Sequence, residues 1–223
     1  MKLENIIENH INAIGGLRIF NELRSLQTEF HLVEPTFEVD GIYIAERSGQ
    51  MRVDIFSNNV RVFSEGLNNS EGWQLPQDAK VSTPTSSDGT RALLHGIENH
   101  LFGLHELSLR GYHLELMDKE IIGDIDYLVI RITYSDNHSI SRYVNPANWL
   151  IELSRENRAL HPDIDPTETV IETQYSDFRK VNNLLKPFYE KTINLTTNDT
   201  IQTTMVKQLT VNPNIDPNIF KRP

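Results

Sequence analysis

The sequence predicts a mainly β protein of the α+β class, in which helices cover the concave side of a curled antiparallel sheet. Apolar and polar residues alternate with a period of two through most of the chain, and turn residues separate these runs about every ten residues. Helical periodicity is confined to 1–26 and 87–107. Because a sheet of so many strands twists and curls, the helices are predicted to pack their apolar faces on its concave side.

Two helices are predicted over 1–26, and a glycine pair separates them. The apolar stripe of the first helix ends at Ile14, and a stripe with a new phase begins at Leu17. Gly15 and Gly16 could form a phosphate-binding loop or a joint between helices. Phosphate loops follow a strand and carry a G-x-G-x-x-G or Gly-Lys-Ser/Thr pattern, which is missing here, so a joint with positive φ at one of the glycines is predicted.

A first β meander is predicted over 27–75, because alternating runs are separated by turns at Ser48-Gly49, Asn58-Asn59 and 68–72. The Pro-, Ser- and Thr-rich residues 76–90 predict a loop, and Ser87 or Asp88 can cap the helix that follows. This central helix is predicted over 87–107. Its apolar face consists of Leu93, Leu94, Ile97, Leu101 and Leu104.

A second meander is predicted over 112–211, followed by an irregular tail over 212–223. Its strands are expected at 112–118, 125–134, 139–145, 149–154, 169–178, 186–195 and 201–211. The strand over 127–134 places Leu128, Ile130 and Ile132 on one apolar face. No linker or internal repeat divides the chain, so a single domain over 1–223 is predicted.

Composition excludes several classes of function. A net charge of −10 argues against a nucleic-acid surface, which needs a basic patch. Without cysteine the chain has no disulfides, thiolate metal ligands or cysteine nucleophile. The segment MKLENIIENH is not a signal peptide, which leaves two alternatives: a cytoplasmic protein, or a chain from which the signal has been removed.

No motif predicts catalysis, a metal or a cofactor, and the protein is predicted not to be an enzyme. His95, His100 and His105 recur every five residues, about 140° apart on a helix, and cannot meet at one ion. Asp163 and Asp165 lack the rest of a calcium loop. There is no G-x-S-x-G elbow. If the fold carried an enzyme, the strand residues to inspect would be Tyr127, Arg131, Tyr143 and Glu152.

Arg47 and Arg52 flank the turn at Ser48-Gly49, where they form either a solvated hairpin end or part of a functional site. The sequence leaves these two interpretations open.

Six segments spread over almost the whole chain carry a resemblance to a known family. In their order and spacing they resemble the LolA-like outer-membrane lipoprotein-sorting proteins, within a distant Ala-x-Gly-Gly subgroup. Asn145 stands where the family has aspartate. The segments are HINAIGGLRIFNELRSL, SEGLNNSEGWQLP, GYHLELMDKEIIGDIDYLVIRIT, SRYVNPANWLIEL, YSDFRKVNNLLKPFYEK and VNPNIDPNIFKRP.

This resemblance implies an incomplete, strongly curved antiparallel β-barrel whose N-terminal and central helices cover the concave side around an apolar cavity. It implies a periplasmic, monomeric carrier for acyl chains of lipids or lipoproteins, with its signal peptide removed. Membrane-associated donor or acceptor proteins would be its partners. Arg47 matches the family arginine that helps to hold the helical lid shut. The cavity or lid would be lined by Phe30, Leu32, Val53, Ile97, Leu101, Leu104, Leu128, Ile130 and Ile132.

The alternative is a structural or sensory interaction module with the same fold and a packed core. The apolar faces of the helices suit a mobile lid and a permanently packed core equally well, so sequence does not separate the two.

Overall fold

The computed structural model describes all residues from Met1 to Pro223. None of its helices combines the length and hydropathy needed to span a membrane. The elements, in chain order, are α1 (Leu3–Ala13), α2 (Leu17–Glu22), β1 (Ser25–Glu34), β2 (Phe37–Glu46), β3 (Gln50–Ser57), β4 (Val60–Asn68), β5 (Glu71–Pro76), β6 (Thr83–Pro84), α3 (Ser87–Leu101), α4 (Leu104–Leu109), β7 (His113–Leu116), β8 (Glu120–Ile122), β9 (Ile125–Thr133), β10 (Ser139–Val144), β11 (Ile151–Arg158), β12 (Thr169–Val181), β13 (Leu184–Asn194), β14 (Asp199–Val211) and a short 3-10 helix (Pro217–Phe220).

The elements belong to two compact units. Unit 1 comprises Met1–Glu22, Gly103–Arg158 and Glu168–Ile201, and unit 2 comprises Leu23–Phe102, Ala159–Thr167 and Gln202–Pro223. In unit 2 the strands lie in the order β6-β5-β4-β3-β2-β1-β14, and in unit 1 in the order β13-β12-β11-β10-β9-β7, with β8 also paired to β9. The first and last strands of each order do not pair with each other, so neither order closes on itself. The predicted class, mainly β with antiparallel strands and helices, is confirmed; the single domain stays a prediction.

The glycine joint is confirmed. Gly15 and Gly16 have φ values of 137° and 85° and separate α1 from α2. Gly15 also lies against the backbone of the β12–β13 hairpin, where an added Cβ would stand 2.6 Å from the carbonyl oxygen of Asn183. The second helix is shorter than predicted, because Leu26 lies in β1 opposite Ala45, where ladder pairing overrides the helical stripe.

The prediction of one central helix over 87–107 is wrong. The backbone is extended at Phe102 (φ −111°, ψ 137°), and this residue separates α3 from α4. The Gly103 N–H donates to Glu106 Oε2 (2.9 Å), which caps α4. A Cβ at Gly103 would lie 2.8 Å from Ile11 Cδ1, so the Ile11 side chain would have to shift to accommodate it. Leu104 therefore starts a helix of unit 1, whereas Ile97 and Leu101 belong to unit 2.

The helix cap also differs from the prediction. Ser86, rather than Ser87 or Asp88, is the N-cap of α3, and its hydroxyl accepts from the Gly89 N–H (2.9 Å). Asp163 Oδ1 accepts from the Ser86 N–H (2.6 Å), so this loop carboxylate holds the start of α3. The predicted 76–90 loop contains the short strand β6.

Unit 1 buries both faces of β9. Tyr127 and Val129 pack with Tyr143 and Leu153, and side chains from the segment around β8 cover this cluster: Met117, Ile122 and Ile125. The sequence analysis did not predict β8, because three residues are too few to show an alternating pattern. The strands β11 to β13 differ from their predicted ends by a few residues.

The C-terminal tail packs against one side of the unit 2 sheet. Trp73 and Phe220 are almost fully buried, and the Trp73 indole N–H donates to the Phe220 carbonyl (3.2 Å). Arg52 Nη1 donates to the Ile219 carbonyl (3.0 Å). The tail, predicted to be irregular, contains one short 3-10 turn and covers this side of the sheet.

Candidate functional site

One side of the unit 2 sheet faces α3, and we call it the helix-facing side. α3 packs across β1 to β5. The Tyr43 ring lies 5.1 Å from the His100 ring of α3, measured between centroids. A Cβ built on Gly72 would point at Thr90, in the first turns of α3. Side chains in register with Tyr43 and Gly72 therefore share this side.

The register arranges these side chains in rows that run across β1 to β5. The first, the packed row, is small or apolar and fully buried. It consists of Leu26, Ala45, Met51, Leu67 and Gly72.

The second row, the polar row, consists of Thr28, Tyr43, Val53, Glu65 and Gln74. The Tyr43 hydroxyl is buried and has no hydrogen-bond partner, and burial raises its pKa. Burial also raises the pKa of the Glu65 carboxyl to about 7, with a further contribution from the Asp163 carboxylate. A buried donor without a partner is costly, so this row is the least satisfied part of the helix-facing side.

The next residues along the strands form the open row: Phe30, Ile55 and Phe63, followed by Leu32 opposite Val39. The Phe30 ring lies over Gly41, where a Cβ would collide with it. All five apolar side chains of the open row are only half-buried, in contrast to the packed row. The helix-facing side thus changes from a closed core at one end to accessible apolar surface at the other.

The two arginines that flank the Ser48-Gly49 turn lie in different environments. The Arg47 guanidinium carbon is 4.4 Å from the centroid of the Phe102 ring, directly after α3, and Nη1 donates to the Leu23 carbonyl (3.3 Å). Arg52 instead makes a bidentate pair with Asp54, both distances being 2.9 Å. Arg47 is therefore positioned beside the end of α3, and neither arginine is simply a solvated hairpin residue.

In unit 1, polar side chains lie next to the apolar residues that were predicted to line the cavity. Leu128, Ile130 and Ile132 are buried, but Ile130 lies directly opposite Arg142 in the β9–β10 ladder. Arg142 Nη1 donates to the Tyr175 hydroxyl (3.0 Å). Of the residues predicted to line the cavity or lid, unit 2 contains Phe30, Leu32, Val53, Ile97, Leu101 and Arg47, and unit 1 contains Leu104, Leu128, Ile130 and Ile132.

Charged groups continue along this part of unit 1. Burial opposes ionisation of Glu156, but a hydrogen bond with His138 (2.9 Å) and the charges of Arg158 and Arg142 outweigh it and lower the Glu156 pKa to about 2. Burial lowers the pKa of Lys186 to about 8, although the neighbouring Glu190 opposes that shift.

His10 in α1 is a further buried titratable group. Its Nδ1 lies 2.8 Å from the Trp149 carbonyl oxygen, to which Nδ1–H can donate. Burial lowers the pKa of His10 to about 4, and the hydrogen bond only partly offsets the effect.

Among the residues singled out for a possible enzyme, the Tyr127 hydroxyl donates to Glu152 (2.9 Å), and the Tyr143 hydroxyl donates to Glu120 (2.9 Å). Arg131 is exposed. Burial and the bond to Glu152 raise the pKa of Tyr127 to about 12. Within residues 1–223 no three His, Asp or Glu side chains form a group that could hold a metal ion. His95 and His100 lie on α3, and His105 lies on α4.

The sequence analysis missed the polar members of the polar row. A bulge in the β3–β4 ladder pairs Ile55 with Phe63 and then Phe56 with Arg61, which leaves Val62 without a partner. Simple alternation from Val60 and Val62 assigns the wrong parity to the rest of β4, so Glu65 was not recognised as a helix-facing residue. Counting backward from buried Leu67 would have found it.

No protein-family model matches the sequence, and no curated protein matches it. Among solved structures, a LolA superfamily protein from Nitrosomonas europaea shares 12% identity, with a TM-score of 0.65, over 100% of this chain and 98% of the other. A DUF1329 family protein from Desulfovibrio piger shares 8% identity, with a TM-score of 0.64, over 98% and 97% of the two chains. A Vibrio parahaemolyticus domain, provisionally described as an outer membrane lipoprotein-sorting protein, shares 11% identity, with a TM-score of 0.62, over 97% and 94%.

These likenesses extend over almost all of each chain and show a LolA-like fold, as the sequence motifs predicted. At such low identity they show the fold alone, and function has to be argued from the residues of this chain.

Proposed function

We propose that this protein is a carrier or binding protein for the acyl chains of lipids or lipoproteins, and that the helix-facing side of unit 2 holds the chain. The observation that carries the proposal is the open row, where Phe30, Leu32, Ile55 and Phe63 are half-buried beside a fully buried packed row. Contiguous accessible apolar side chains on a surface that a helix partly covers are typical of a binding groove.

Energetics require that such a ligand be released as well as bound. Burial of each methylene contributes about 0.8 kcal/mol, so a sixteen-carbon chain would gain on the order of 12 kcal/mol before any cost. The packing of α3 opposes this gain, because Ile97 and Leu101 are buried. A ligand that displaces α3 loses the energy of this packing, which lowers the net affinity enough for the ligand to be released.

Arg47 is proposed as the latch that holds α3 closed. Its guanidinium stacks on Phe102 and donates to the Leu23 carbonyl, so it joins the end of α3 to the residues before β1. A cation over an aromatic ring contributes about 0.5–1 kcal/mol at such a half-exposed position, which suits a contact that must open. Leu104, Leu128, Ile130 and Ile132, in unit 1, remain predicted cavity residues.

The proposed function includes a cellular location and partners. We propose a periplasmic, monomeric protein without enzymatic activity that exchanges acyl chains with membrane-associated donor and acceptor proteins. The resemblance of the sequence motifs and the likeness of the fold support this location. Osmotic-shock fractionation of the native cells should release the protein with the periplasmic fraction, and its retention with the cytoplasmic fraction would contradict the proposal.

A charge on the open row tests the binding surface. Ile55→Asp places a carboxylate on the helix-facing side and should lower the affinity for an acyl probe such as dansyl-undecanoic acid at least tenfold, because the carboxylate must be desolvated when the chain binds. Phe56→Asp is the matched control, since Phe56 is also half-buried but points to the opposite side of β3. Equal affinities for both variants and the unchanged protein would contradict the proposal.

A further inference from the structure

The polar row contains groups for which an acyl chain offers no partner. A purely aliphatic ligand would gain nothing from the Tyr43 hydroxyl or the Glu65 carboxyl, which interrupt the apolar side chains between the packed and open rows. The Tyr43 hydroxyl is buried without a partner, although a phenylalanine would pack equally well and avoid the cost. An unused donor beside an apolar groove is what a ligand with a hydrogen-bond acceptor requires.

We propose that the polar row receives the ester carbonyl that joins the acyl chain to the rest of its lipid, with Tyr43 donating its hydroxyl proton to the carbonyl oxygen. This inference rests on the proposed function and names the chemical class of its ligand: neutral, ester-linked acyl chains. The open row would then bind the methylenes nearest to the ester.

The spacing of the rows agrees with this orientation. Alternate residues of a strand are roughly 7 Å apart, so a carbonyl at Tyr43 places the start of the chain over Phe30 and Ile55. The packed row behind Tyr43 is closed, because Ala45 and Met51 are almost inaccessible. The chain therefore extends from the polar row toward Leu32, away from the packed row.

The charges of the site select a neutral group. Burial raises the pKa of Glu65, and the Asp163 carboxylate raises it further, so a negative charge at Glu65 is disfavoured. A fatty-acid carboxylate would add a further negative charge next to these two carboxyls, whereas an ester carbonyl adds none. Free fatty-acid anions are thus expected to bind more weakly than esters of the same chain length.

Access to Tyr43 involves α3. The hydroxyl is buried, and the His100 ring lies against the Tyr43 ring. An ester reaches the hydroxyl only when the end of α3 shifts, which links recognition of the carbonyl to the opening of the helix proposed above.

The experiment compares three ligands of similar size: methyl decanoate, undecane and decanoate, each titrated against the complete chain by displacement of anilinonaphthalene sulfonate. The unchanged protein should bind methyl decanoate more tightly than undecane, and undecane more tightly than decanoate. Tyr43→Phe should lower the affinity for methyl decanoate roughly threefold to tenfold, the value of one hydrogen bond, and leave that for undecane unchanged.

Two further variants complete the design. Tyr189→Phe removes a hydroxyl from a half-buried tyrosine of unit 1 and should leave all three affinities unchanged. Glu65→Gln removes the acid without changing the size of the side chain and should raise the affinity for decanoate toward that for methyl decanoate. Misfolding cannot cause such a gain in affinity.

The outcomes separate the two proposals. Binding of methyl decanoate and undecane with equal affinity, unaffected by Tyr43→Phe, would overturn the ester inference and leave acyl binding in place. A protein that binds none of the three ligands would overturn the proposed function and the inference with it. Tighter binding of decanoate than of the ester would overturn the selection for a neutral group.

Discussion

The protonation of His10 should make the stability of the protein depend on pH between about 4 and 6.5. The native pKa of His10 is about 4, whereas the unfolded chain has the ordinary value of 6.5. Between these values the unfolded state binds more protons than the native state, so the free energy of unfolding falls as the pH falls. Since one pKa unit corresponds to about 1.4 kcal/mol, the loss from pH 7 to pH 4 attributable to His10 is about 3 kcal/mol.

Urea denaturation of the unchanged protein and of His10→Asn at pH 7, 5.5 and 4 measures this loss. The asparagine amide can donate to the Trp149 carbonyl in place of Nδ1–H but cannot be protonated, so the variant should lose about 3 kcal/mol less than the unchanged protein over this range. Carboxylates titrate in both proteins and cancel in the difference. His113→Asn, at an exposed position of β7, is the control. A difference between the two proteins that does not change with pH would refute the reasoning.

Further predictions concern the joint, the tail and the latch. Gly15→Ala should destabilise the protein by about 2 kcal/mol or more in urea denaturation, because φ is 137° and the new Cβ would press on Asn183. Gly96→Ala is the control: this glycine lies inside α3 with open space around it, so the substitution should stabilise the protein by about 0.5–1 kcal/mol. Phe220→Ala should cost about 3–5 kcal/mol in the same assay, and a loss below 1 kcal/mol would contradict the tail's packing role. Arg47→Ala should accelerate hydrogen exchange of the α3 amides; unchanged exchange would argue against a latch.

Local patterns predicted the secondary structure well. α1 follows from its apolar stripe, the strands β1 to β5 follow from alternation, and the turn at Asn58-Asn59 follows from two residues that tolerate positive φ, which they adopt at 51° and 63°. Such features depend on neighbours within a few positions along the chain, so the sequence contains the information needed to predict them.

The candidate site was predicted only in part. Phe30, Leu32 and Val53, which the sequence analysis predicted to line the cavity, lie on the helix-facing side, since alternation defines the two faces of a strand. Glu65 was missed because a bulge reversed the parity of β4, and a bulge depends on how two strands fit together. The break after Phe102 was missed for a similar reason, since Gly103 lies close to Ile11, a helix residue far away in sequence.

Periodicity and turn chemistry act over short distances along the chain, so the fold class, the order of the elements and the glycine joint could be predicted from the residues alone. The side chains that share a surface were revealed by the three-dimensional structure, which aligned Tyr43 with Glu65 across three strands, placed Arg142 opposite Ile130, and assigned Leu104 and Leu101 to different units. Strand register and burial arise from contacts between residues far apart in sequence, and local patterns do not contain them. A buried hydroxyl without a partner becomes visible only when every neighbour is in place.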